Sequence, residues 1–400
     1  METPPSIRLA IRPGDWATSL DLSDAYFHIL VHENVQHLLR FVWSGVVYQF
    51  RALPFGLSLA PLIFTKVTRE LAALVRAEGV RLKLYLDDWL TLAATQSLCR
   101  THSRLVMDWT SELGFLINHS KSDLHPSQSF VYLGMSFDTV AYTVAPTSAR
   151  LDALTSRIAR LSARRTVTLR HLCQLLGTME SLSPLLPLGR VFKRPLQREV
   201  ALRSSKPPVY SQVITLGPWF LAAVSQWLDP VWLRTPVPIQ PPAPQVFLFT
   251  DASKTGWGAH LDLLETSGLW SPQESLLHIN LLEMEAVRLS LLQFAPTLRG
   301  KSVLLHGDNT VCLAYLKNQG GTHSTSLSLK AEQILLWCFQ QNILLSVQFI
   351  PGKLNSLADL LSRRDQILPT EWTISHKALL PLWSHWFTPL VDLFATRYSK

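Results

Sequence analysis

Short apolar runs separated by turn residues alternate with two longer helical stretches in the first 140 residues. The strand-like runs are WATSLDL, YFHILV, VVYQFRAL and FVYLGMSF, and the helical stretches are APLIFTKVTRELAALVRAEG and LCRTHSRLVMDWTSELGF. Strands appear in sequence as short apolar runs bounded by turn residues, whereas helices need longer segments with a 3.6-residue period. Residues 15 to about 140 are therefore predicted to form an α+β domain.

The pattern becomes helical and basic from about residue 141 to residue 233, as in SARLDALTSRIARLSARR and LRHLCQLLGTMESL. The next segment, RTPVPIQPPAP, contains prolines that exclude a helix and favour an extended linker. The sequence thus predicts one domain over residues 1–140, a helical domain or connection over residues 141–233, and a proline-rich linker over residues 234–245.

Strand-like and helical segments alternate again over residues 246–365. Strands are predicted at QVFLFTDAS, GWGAHLDLL, SGLWS, KSVLLHGDN and LLSVQFIPG, and helices at INLLEMEAVRLSLLQF, TVCLAYLKN, SLSLKAEQILLWCFQQN and LNSLADLLSRR. Three strands followed by alternating helices and strands predict one mixed five-stranded sheet with helices packed on it. The tail over residues 366–400 does not resemble a complete domain.

Composition narrows the classes of protein that fit this pattern. A chain of 400 residues with 47% hydrophobic residues can build two or three domains with cores. The net charge of +8 favours a polyanionic partner, with nucleic acid as the first candidate. The four cysteines have no paired spacing, which predicts neither a zinc site nor a disulfide framework. Without an apolar run of about 18 residues or a signal peptide, we expect an intracellular protein, cytoplasmic or nuclear, with no membrane partner.

Two adjacent aspartates, Asp87 and Asp88, interrupt the strand-like run KLYLDDWLTL. Because aspartate often occupies turn positions, this pair alone favours a β-turn. A further carboxylate, Asp21, ends the apolar run in SLDLSDAYF. Three carboxylates from two strands of one sheet could hold two divalent cations, the arrangement that stabilises both the attacking and the leaving oxygen in phosphoryl transfer.

A second set of acidic residues follows the predicted linker: Asp251, Glu283, Asp308 and Asp359. Each of the four also fits a purely structural role. Asn280 and Glu283 fit a helix capping box, Asp308 could cap the helix that follows it, and the charge of Asp359 suits the start of a helix. The residues by themselves leave these alternatives open.

Five motifs in the first domain resemble, in order, those of retroelement reverse transcriptases: DLSDAYF, LPFGLSLAP, YLDD, LGFLINHSKSDL and FVYLGMSF. The resemblance implies a polymerase palm with a helical thumb or connection, in which Asp21, Asp87 and Asp88 bind two magnesium or manganese ions. It also implies that Tyr26 lies beneath the sugar of the incoming deoxynucleoside triphosphate. The further residues that it implies are Phe55, Gly56 and Lys121 for nucleotide binding, and Tyr132, Leu133 and Gly134 for gripping the primer.

The region after the linker resembles the α/β ribonuclease H domain of the same elements. This resemblance implies that Asp251, Glu283, Asp308 and Asp359 bind two magnesium or manganese ions and that a metal-activated water cleaves the RNA strand of an RNA–DNA hybrid. The family pattern places a small residue three positions after the glutamate, which favours Glu283, followed by Ala286, over Glu285. Asn355, four residues before Asp359, also fits the family.

Phe349 departs from the ribonuclease H pattern, since many members carry a histidine at this position. Phenylalanine cannot carry a proton, so we expect slow cleavage. Only twenty residues precede Asp21, which predicts truncated fingers with Arg8 and Arg12 as the nearby cations. The segment VDLFA in the C-terminal tail resembles DIRS-type elements.

These resemblances imply a fragment of a DIRS-like or gypsy-like polyprotein. Its expected partners are an RNA template, a DNA primer, RNA–DNA hybrids and deoxynucleoside triphosphates. The alternative is a catalytically impaired remnant or co-opted module that only binds nucleic acid. Its binding would weaken steeply with salt, because it would depend on Lys and Arg contacts with phosphates.

Overall fold

A computed structural model describes residues 2–363, 381 and 383–385 of the chain. The chain divides into two compact units, Met1–Pro241 and Pro242–Lys400. The division falls inside the proline-rich segment. The predicted tail over residues 366–400 lies outside the described residues, except for residues 381 and 383–385. No helix in the described part of the chain is long and apolar enough to cross a membrane.

The first unit contains antiparallel sheets and helices. Its strands are β1 (Trp16–Asp21), β2 (Arg40–Trp43), β3 (Val46–Gln49), β4 (Arg81–Tyr85), β5 (Asp88–Ala93), β6 (Asp123–Ser127), β7 (Ser129–Tyr132), β8 (Met135–Asp138), β9 (Thr143–Pro146), β10 (Thr166–Thr168), β11 (Val213–Thr215) and β12 (Val237–Pro238). Its helices are α1 (Pro4–Ala10), α2 (Glu33–Gln36), α3 (Ala60–Ala77), α4 (Gln96–Glu112), α5 (Ser148–Ser162), α6 (Leu169–Leu182), α7 (Gly189–Arg203), α8 (Pro218–Val224) and α9 (Pro230–Arg234).

A four-stranded sheet in the order β4-β5-β1-β6 carries the first carboxylates. Helix α3 packs against β4, and α4 packs against β1 and β5. The buried residues of α3 recur every three or four positions, so one stripe of the helix faces the core. Among these core side chains are Phe64 of α3 and Trp89 of β5, both fully buried. Packing on two helices thus fixes the position of the two central strands.

The run FVYLGMSF, predicted as one strand, is a hairpin. Leu133 and Gly134 form its turn, with φ angles of 50° and 69°. Two consecutive residues with positive φ make a type I′ turn, which matches the twist of the strands on either side. The prediction of a single strand was wrong because the turn contains an apolar residue, Leu133, so the apolar run shows no break between the two strands. The turn connects β7 and β8 in a second sheet of order β12-β9-β8-β7.

The run YFHILV was also predicted as a strand, and this prediction was wrong. Residues Ala25–His28 form a 3-10 turn, entered through Asp24 at a φ of 52°. The tertiary contacts of Tyr26 explain the difference. Its ring is buried edge-on against Phe64, with centroids 5.6 Å apart. The turn places the Tyr26 ring in the core of the unit. In a strand, the side chains of this run would instead alternate between the two faces of a sheet.

The proline-rich segment is extended, but it is only partly a linker. Val237 and Pro238 of β12 pair with β9, and Ile239 is buried in the core beneath that sheet. The amide of Gln240 donates a hydrogen bond to the carbonyl oxygen of Ile11 at 3.1 Å. The predicted proline-rich linker over residues 234–245 is thus extended, but residues 237–240 belong to the first unit. Proline fits here because β12 is an edge strand.

Helices dominate residues 148–234, and β9 of the second sheet precedes them. Helices α5, α6, α7, α8 and α9 share an apolar core that includes Leu172, Met179 and Trp227. The strands β10 and β11 pair with each other beside them. The predicted helical character of this region agrees with the structure.

The second unit is an α/β domain. Its strands are β13 (Val246–Ala252), β14 (Gly256–Leu261), β15 (Leu264–Leu269), β16 (Ser302–Gly307) and β17 (Leu344–Phe349). Its helices are α10 (Ile279–Gln293), α11 (Ala295–Leu298), α12 (Thr310–Lys317), α13 (Thr325–Gln340) and α14 (Ser356–Ser362). The sheet order is β15-β14-β13-β16-β17, antiparallel among the first three strands and parallel from β13 to β17. The predicted mixed five-stranded sheet is confirmed.

Helix α14 approaches the sheet of the second unit very closely. A Cβ atom added at Gly258 of β14 would lie 2.4 Å from Cβ of Leu361 and 2.6 Å from the carbonyl oxygen of Ala358. Only glycine leaves room for the helix at this distance. The close approach places the helix beside the end of β13, where Asp251 lies.

Candidate active sites

The first carboxylate cluster lies where β1 and β5 end side by side. In the antiparallel register Asp21 lies directly opposite Asp88. Asp87 lies in the two-residue turn between β4 and β5, which begins with Leu86 at a φ of 54°. The structure thus brings together the three aspartates that the sequence singled out, and Asp87 does occupy a turn, as its residue type favours.

The electrostatics of this cluster leave negative charge uncompensated. Burial raises the pKa of Asp88 to about 6, helped by repulsion from Asp87 and Asp21 and opposed by Lys121. Burial also raises the pKa of Asp21, while Lys121 and a hydrogen bond from Asn118 lower it. Groups of carboxylate oxygens that repel one another in this way suit a hard divalent cation.

Two cavities have Asp21 and Lys121 in both of their linings. One contains Asp87 and Phe55 in its lining, together with Asn118. The other contains Asp88 and the hairpin turn, and its lining residues are Ser19, Leu20, Asp21, Asp88, Lys121, Val131, Tyr132, Leu133 and Gly134. Phe55 therefore lines one cavity and the predicted primer residues line the other, while Asp21 and Lys121 belong to both linings.

Tyr26 and Gly56 are neighbours of Phe55, which lines the first cavity. The ring of Tyr26 is buried, with its centroid 4.9 Å from the ring of Phe55. Gly56 has a φ of 91°, a conformation that side chains rarely adopt, in the turn before α3. Neither residue is among those that line the cavity. Their contribution is to hold Phe55, which is 58% exposed at the cavity rim.

Hydrogen bonds anchor the turn beside the second cavity. The Tyr132 hydroxyl donates to the carbonyl oxygen of Asp88 at 2.7 Å, and burial raises the pKa of Tyr132. Arg150 donates to the carbonyl oxygen of Gly134 at 3.2 Å and to that of Ser181 at 3.1 Å. The sequence offered no signal for Arg150, because its partners lie far from it along the chain.

The second unit contains three carboxylates that converge. Asp251 lies at the end of β13, Glu283 on α10 and Asp308 directly after β16, and each offers an oxygen within 4.8 Å of the others. Asp251 and Glu283 are buried. Asp359 on α14 is close enough for its charge to raise the pKa of Asp251. Its Oδ1 accepts a hydrogen bond from Nε of Arg363 at 2.7 Å, and Asp359 is not one of the three described carboxylates that meet within 4.8 Å.

The structural alternatives for two of these residues are not realised. The side chain of His278 caps α10 by accepting from the backbone N–H of Asn280, so Glu283 belongs to no capping box. Asn309, not Asp308, caps α12 by accepting from two backbone N–H groups of its first turn. Asp359 does lie in the first turn of α14, as the dipole argument required.

The two candidate glutamates of α10 have different surroundings. Oε1 of Glu285 accepts a hydrogen bond from Nε of Arg288 at 2.8 Å, and Oε2 pairs with Nζ of Lys330 at 2.6 Å. Among the residues that the structure describes, no such cation pairs with Glu283. Burial raises its pKa to about 9, with repulsion from Asp251 and Asp308 adding to the effect. Burial likewise raises the pKa of Asp251 to about 6. Such a donor set fits a divalent cation.

Several side chains that the sequence reasoning missed hold this cluster. The Ser362 hydroxyl donates to Oδ2 of Asp251 at 2.6 Å, and Asn309 forms a hydrogen bond with Glu283. Asn355, which the family resemblance did suggest, donates to the carbonyl oxygen of Thr250 at 2.9 Å. The residue type of Ser362 does not indicate a role at a metal site. Its hydrogen bond to Asp251 joins residues more than 100 positions apart in the sequence, so no local pattern predicts it.

Glu283→Gln is expected to reduce the pH dependence of stability in the absence of metal. The pKa of Glu283 rises from about 4.3 in the unfolded chain to about 9 in the folded state. Its contribution to stability is therefore present below about pH 4 and is lost as the pH rises towards 9. In EDTA, the variant should lose roughly 5 °C less in unfolding temperature than the parent between about pH 5 and about pH 8.

The matched control for this measurement is Glu265→Gln, which alters an exposed glutamate of β15 in the same unit. It should show the same pH dependence as the parent. Adding Mg²⁺ should stabilise the parent more than Glu283→Gln. Identical pH dependence in all three proteins would contradict the assignment of an uncompensated charge at Glu283.

Phe349 ends β17 and pairs in register with Gly307, the residue before Asp308. Its side chain is half exposed. The residue that departs from the family pattern therefore lies next to the strand end that carries Asp308.

Comparison with known proteins adds the family context. Residues 6–137 match the family described as "Reverse transcriptase (RNA-dependent DNA polymerase)". The chain is 25% identical to the Gag-Pol polyprotein of feline leukemia virus over 77% of the chain. It is 23% identical to the transposon Tf2-3 polyprotein of Schizosaccharomyces pombe over 86% of the chain. The chain spans 21% and 25% of the lengths of these two relatives.

The fold resembles that of solved foamy viral protease–reverse transcriptase structures. A foamy viral protease–reverse transcriptase in complex with RNA/DNA hybrid matches 87% of this chain with a TM-score of 0.51 and 15% identity. The protease–reverse transcriptase dRH in complex with double-stranded DNA matches equally well. At this identity the likeness concerns the fold alone. Residues 6–137 thus carry a reverse transcriptase domain, and the chain has homologues among retroelement polyproteins.

Proposed function

We propose that this chain is part of a DIRS-like or gypsy-like retroelement polyprotein with RNA-directed DNA polymerase and ribonuclease H activities. The observation that carries the proposal is the convergence of Asp251, Glu283 and Asp308 within 4.8 Å, in a chain whose residues 6–137 match the reverse transcriptase family. Each unit contains a carboxylate cluster, and each cluster supports phosphoryl transfer in its own unit. The second cluster has the more complete set of hydrogen bonds to its carboxylates, from Ser362 to Asp251 and from Asn309 to Glu283.

In the second unit, Asp251, Glu283, Asp308 and Asp359 would hold Mg²⁺ or Mn²⁺. Bound divalent cations would neutralise the phosphodiester and activate the attacking water. Ser362 fixes one oxygen of Asp251 through its hydrogen bond and leaves the other free for the cluster. The substrate would be the RNA strand of an RNA–DNA hybrid, because only RNA offers a 2′-OH for recognition.

In the first unit, Asp21, Asp87 and Asp88 would hold the same type of cation. Lys121 is exposed at the cavity that Phe55 lines, so its ammonium group can reach the phosphates of a deoxynucleoside triphosphate. Tyr26 would position Phe55 against the nucleotide through their ring contact. The turn over residues 132–134, which lines the other cavity, would contact the primer.

Metal-dependent cleavage of a labelled RNA–DNA hybrid tests the ribonuclease H part of this proposal. Primer extension on an RNA template, with Asp88→Asn as the inactive comparison, tests the polymerase part. If the parent binds the hybrid tightly and cleaves it in neither Mg²⁺ nor Mn²⁺, the second unit is instead a binding module. The aromatic residue at Phe349 is the observation that favours that alternative.

Phe349→His is expected to cleave an RNA–DNA hybrid about tenfold or more faster than the parent. Histidine can transfer a proton near neutral pH, and a positioned general acid or base contributes roughly a hundredfold or more. The rate should be measured in single-turnover reactions with hybrid in deficit, so that binding does not limit it. Phe349→Leu is the control for packing, and a histidine variant no faster than the leucine variant would contradict the prediction.

A further inference from the structure

The side chain of Arg150 joins two elements of the first unit, the turn between β7 and β8 and the end of α6. Its Nη1 donates to the carbonyl oxygen of Gly134 in the turn at 3.2 Å. Its Nη2 donates to the carbonyl oxygen and to the hydroxyl of Ser181 at 3.1 and 3.0 Å, and Ser181 lies in the last turn of α6. The donors of a guanidinium group form a rigid planar fork, so Arg150 fixes the distance between the turn and the helix.

The turn and the arginine are in close contact. Gly134 has a φ of 69°, and a Cβ atom added there would lie 2.8 Å from Cδ of Arg150. The aliphatic part of the arginine therefore packs directly on the turn, while its charged end holds the carbonyl group. The backbone N–H of Thr147, the residue before α5, donates to the same carbonyl oxygen at 3.4 Å. Two donors at the start of α5 thus converge on one atom of the turn.

The same turn is bonded to the first carboxylate cluster. The hydroxyl of Tyr132, at one end of the turn, donates to the carbonyl oxygen of Asp88 at 2.7 Å. Leu133 and Gly134 line the cavity that also contains Asp88. A continuous series of contacts therefore leads from α6 through Arg150 and the turn to Asp88. Because the turn and Asp88 line one cavity, a displacement of the turn changes the space beside that carboxylate.

The two elements that Arg150 joins differ in burial. Helix α6 contributes Leu172, Leu175 and Met179 to the helical core, and all three are fully buried. The turn consists of two residues with positive φ at the end of a hairpin, and Val131 beside it is 58% exposed. Elements with few buried contacts open more readily than elements of a core. Arg150 therefore ties the less buried element to the more buried one.

We propose that Arg150 is a positioning residue, which holds the turn over residues 132–134 at a fixed distance from Asp88 by anchoring it to α6. The consequence for catalysis rests on the proposed function, in which this turn contacts the primer. Among the described residues, the hydrogen-bond partners of Arg150 are Gly134 and Ser181, so its effect on the reacting atoms passes through the turn. An anchored turn keeps the 3′ end of the primer beside the carboxylate cluster, and a released turn does not.

Arg157, two helical turns further along α5, provides the matched control. Its Nη1 donates to the carbonyl oxygen of Gln174 at 3.1 Å and to the hydroxyl of Thr178 at 3.2 Å, and both partners lie on α6. Both arginines are half-buried. Arg157→Ala therefore removes the same charge and a similar link between α5 and α6, but it leaves the turn anchored. The difference between the two alanine variants isolates the contact with the turn.

Hydrogen exchange over residues 129–138, measured by mass spectrometry on the full chain without nucleic acid or metal, tests the anchor directly. Arg150→Ala should exchange about tenfold faster there than the parent, because hydrogen bonds from charged donors are strong and their loss favours local opening. Arg157→Ala should exchange as the parent does. Equal exchange in the two variants would overturn the proposal. This measurement needs no catalysis, so it decides on Arg150 even if the polymerase part of the proposed function fails.

Single-nucleotide incorporation by a preformed complex with an RNA template and a DNA primer measures the consequence. Arg150→Ala should lower the maximal rate about tenfold or more, because a small misplacement of a reacting group can cost roughly a hundredfold. The deoxynucleoside triphosphate concentration that gives half the maximal rate should stay the same, because no residue of the turn is among the described residues that line the cavity of Phe55. Arg157→Ala should keep both values.

The outcomes separate the proposal from the function on which it rests. A parent that incorporates no nucleotide would reject the polymerase part of the proposed function, and hydrogen exchange would then decide on Arg150 alone. If the parent is active and the two alanine variants lose the same fraction of the maximal rate, the loss comes from the packing of α5 on α6, and the proposal is wrong.

Arg150→Lys separates positioning from attraction between the positive charge and nucleic acid. Lysine keeps the charge but has no planar fork, so it cannot hold the turn and α6 together. The lysine variant should therefore resemble Arg150→Ala in both measurements, and it carries both of them if the alanine variant fails to fold. Parent-like exchange and a parent-like maximal rate in the lysine variant would show that charge alone suffices, contrary to the proposal.

Discussion

The Asp251→Asn/Asp308→Asn double variant is expected to bind an RNA–DNA hybrid and to cleave it at least about a thousandfold more slowly than the parent. The two aspartates lie within 4.8 Å of Glu283 and of each other. Replacing them by neutral amides removes two anionic oxygens from the cation site, and a bound metal contributes several kcal/mol to the transition state. The rates should be compared at hybrid concentrations that give matched occupancy.

Asp262→Asn is the matched control for this measurement. Asp262 is exposed in the turn between β14 and β15, with a φ of 51° that asparagine also tolerates. The control should cleave as the parent does. Cleavage by parent and control but not by the double variant would support the site. Equal cleavage by the double variant would place the activity elsewhere and reject the assignment of the cluster.

Gly258→Ala is expected to lower the free energy of unfolding of the second unit by about 3 kcal/mol or more. The added methyl group would lie 2.4 Å from Cβ of Leu361 and 2.5 Å from the backbone nitrogen of Ser362. Backbone atoms cannot rotate away as a flexible side chain can, so α14 must move, and overpacking of this kind costs about 1–3 kcal/mol or more. The same movement would displace Asp359 and break the hydrogen bond from Ser362 to Asp251.

Denaturant unfolding, followed by hydrogen exchange of α14 and β14, would measure this effect separately from the first unit. Gly307→Ala is the control, because its Cβ would lie 3.7 Å from Cδ2 of Leu313, an ordinary contact. The control should unfold close to the parent. An unfolding midpoint for Gly258→Ala equal to that of the parent would show that the helix can yield, contrary to the prediction.

Sequence patterns predicted the second unit well because its elements are long, local and clearly bounded. The runs at QVFLFTDAS and KSVLLHGDN are β13 and β16, and the helix at INLLEMEAVRLSLLQF is α10. Apolar periodicity depends only on neighbouring residues. The same local runs also place Asp251 and Asp308 at strand ends, without any information on contacts between strands.

Local patterns were less reliable in the first unit, where tertiary contacts override them. The burial of Tyr26 against Phe64 favours a 3-10 turn in a run with strand-like composition. The pairing of Val237 with Val144 draws the proline-rich segment into a sheet. Phe64 and Val144 lie far in sequence from the residues that they contact, so no local pattern predicts either contact.

The sequence by itself determined which groups are candidates for the chemistry: the aspartates of YLDD, the acidic residues at strand ends and helix starts, and the excess of positive charge. Only the tertiary structure decided how those groups are held and which alternatives fail. It made Asn309 the cap in place of Asp308, gave Glu285 its own cations, and joined Ser362 to Asp251. Charge and residue type are properties of single residues and can be read from the sequence. Desolvation, repulsion and hydrogen bonding depend on distances between residues that are far apart in sequence, and folding sets those distances.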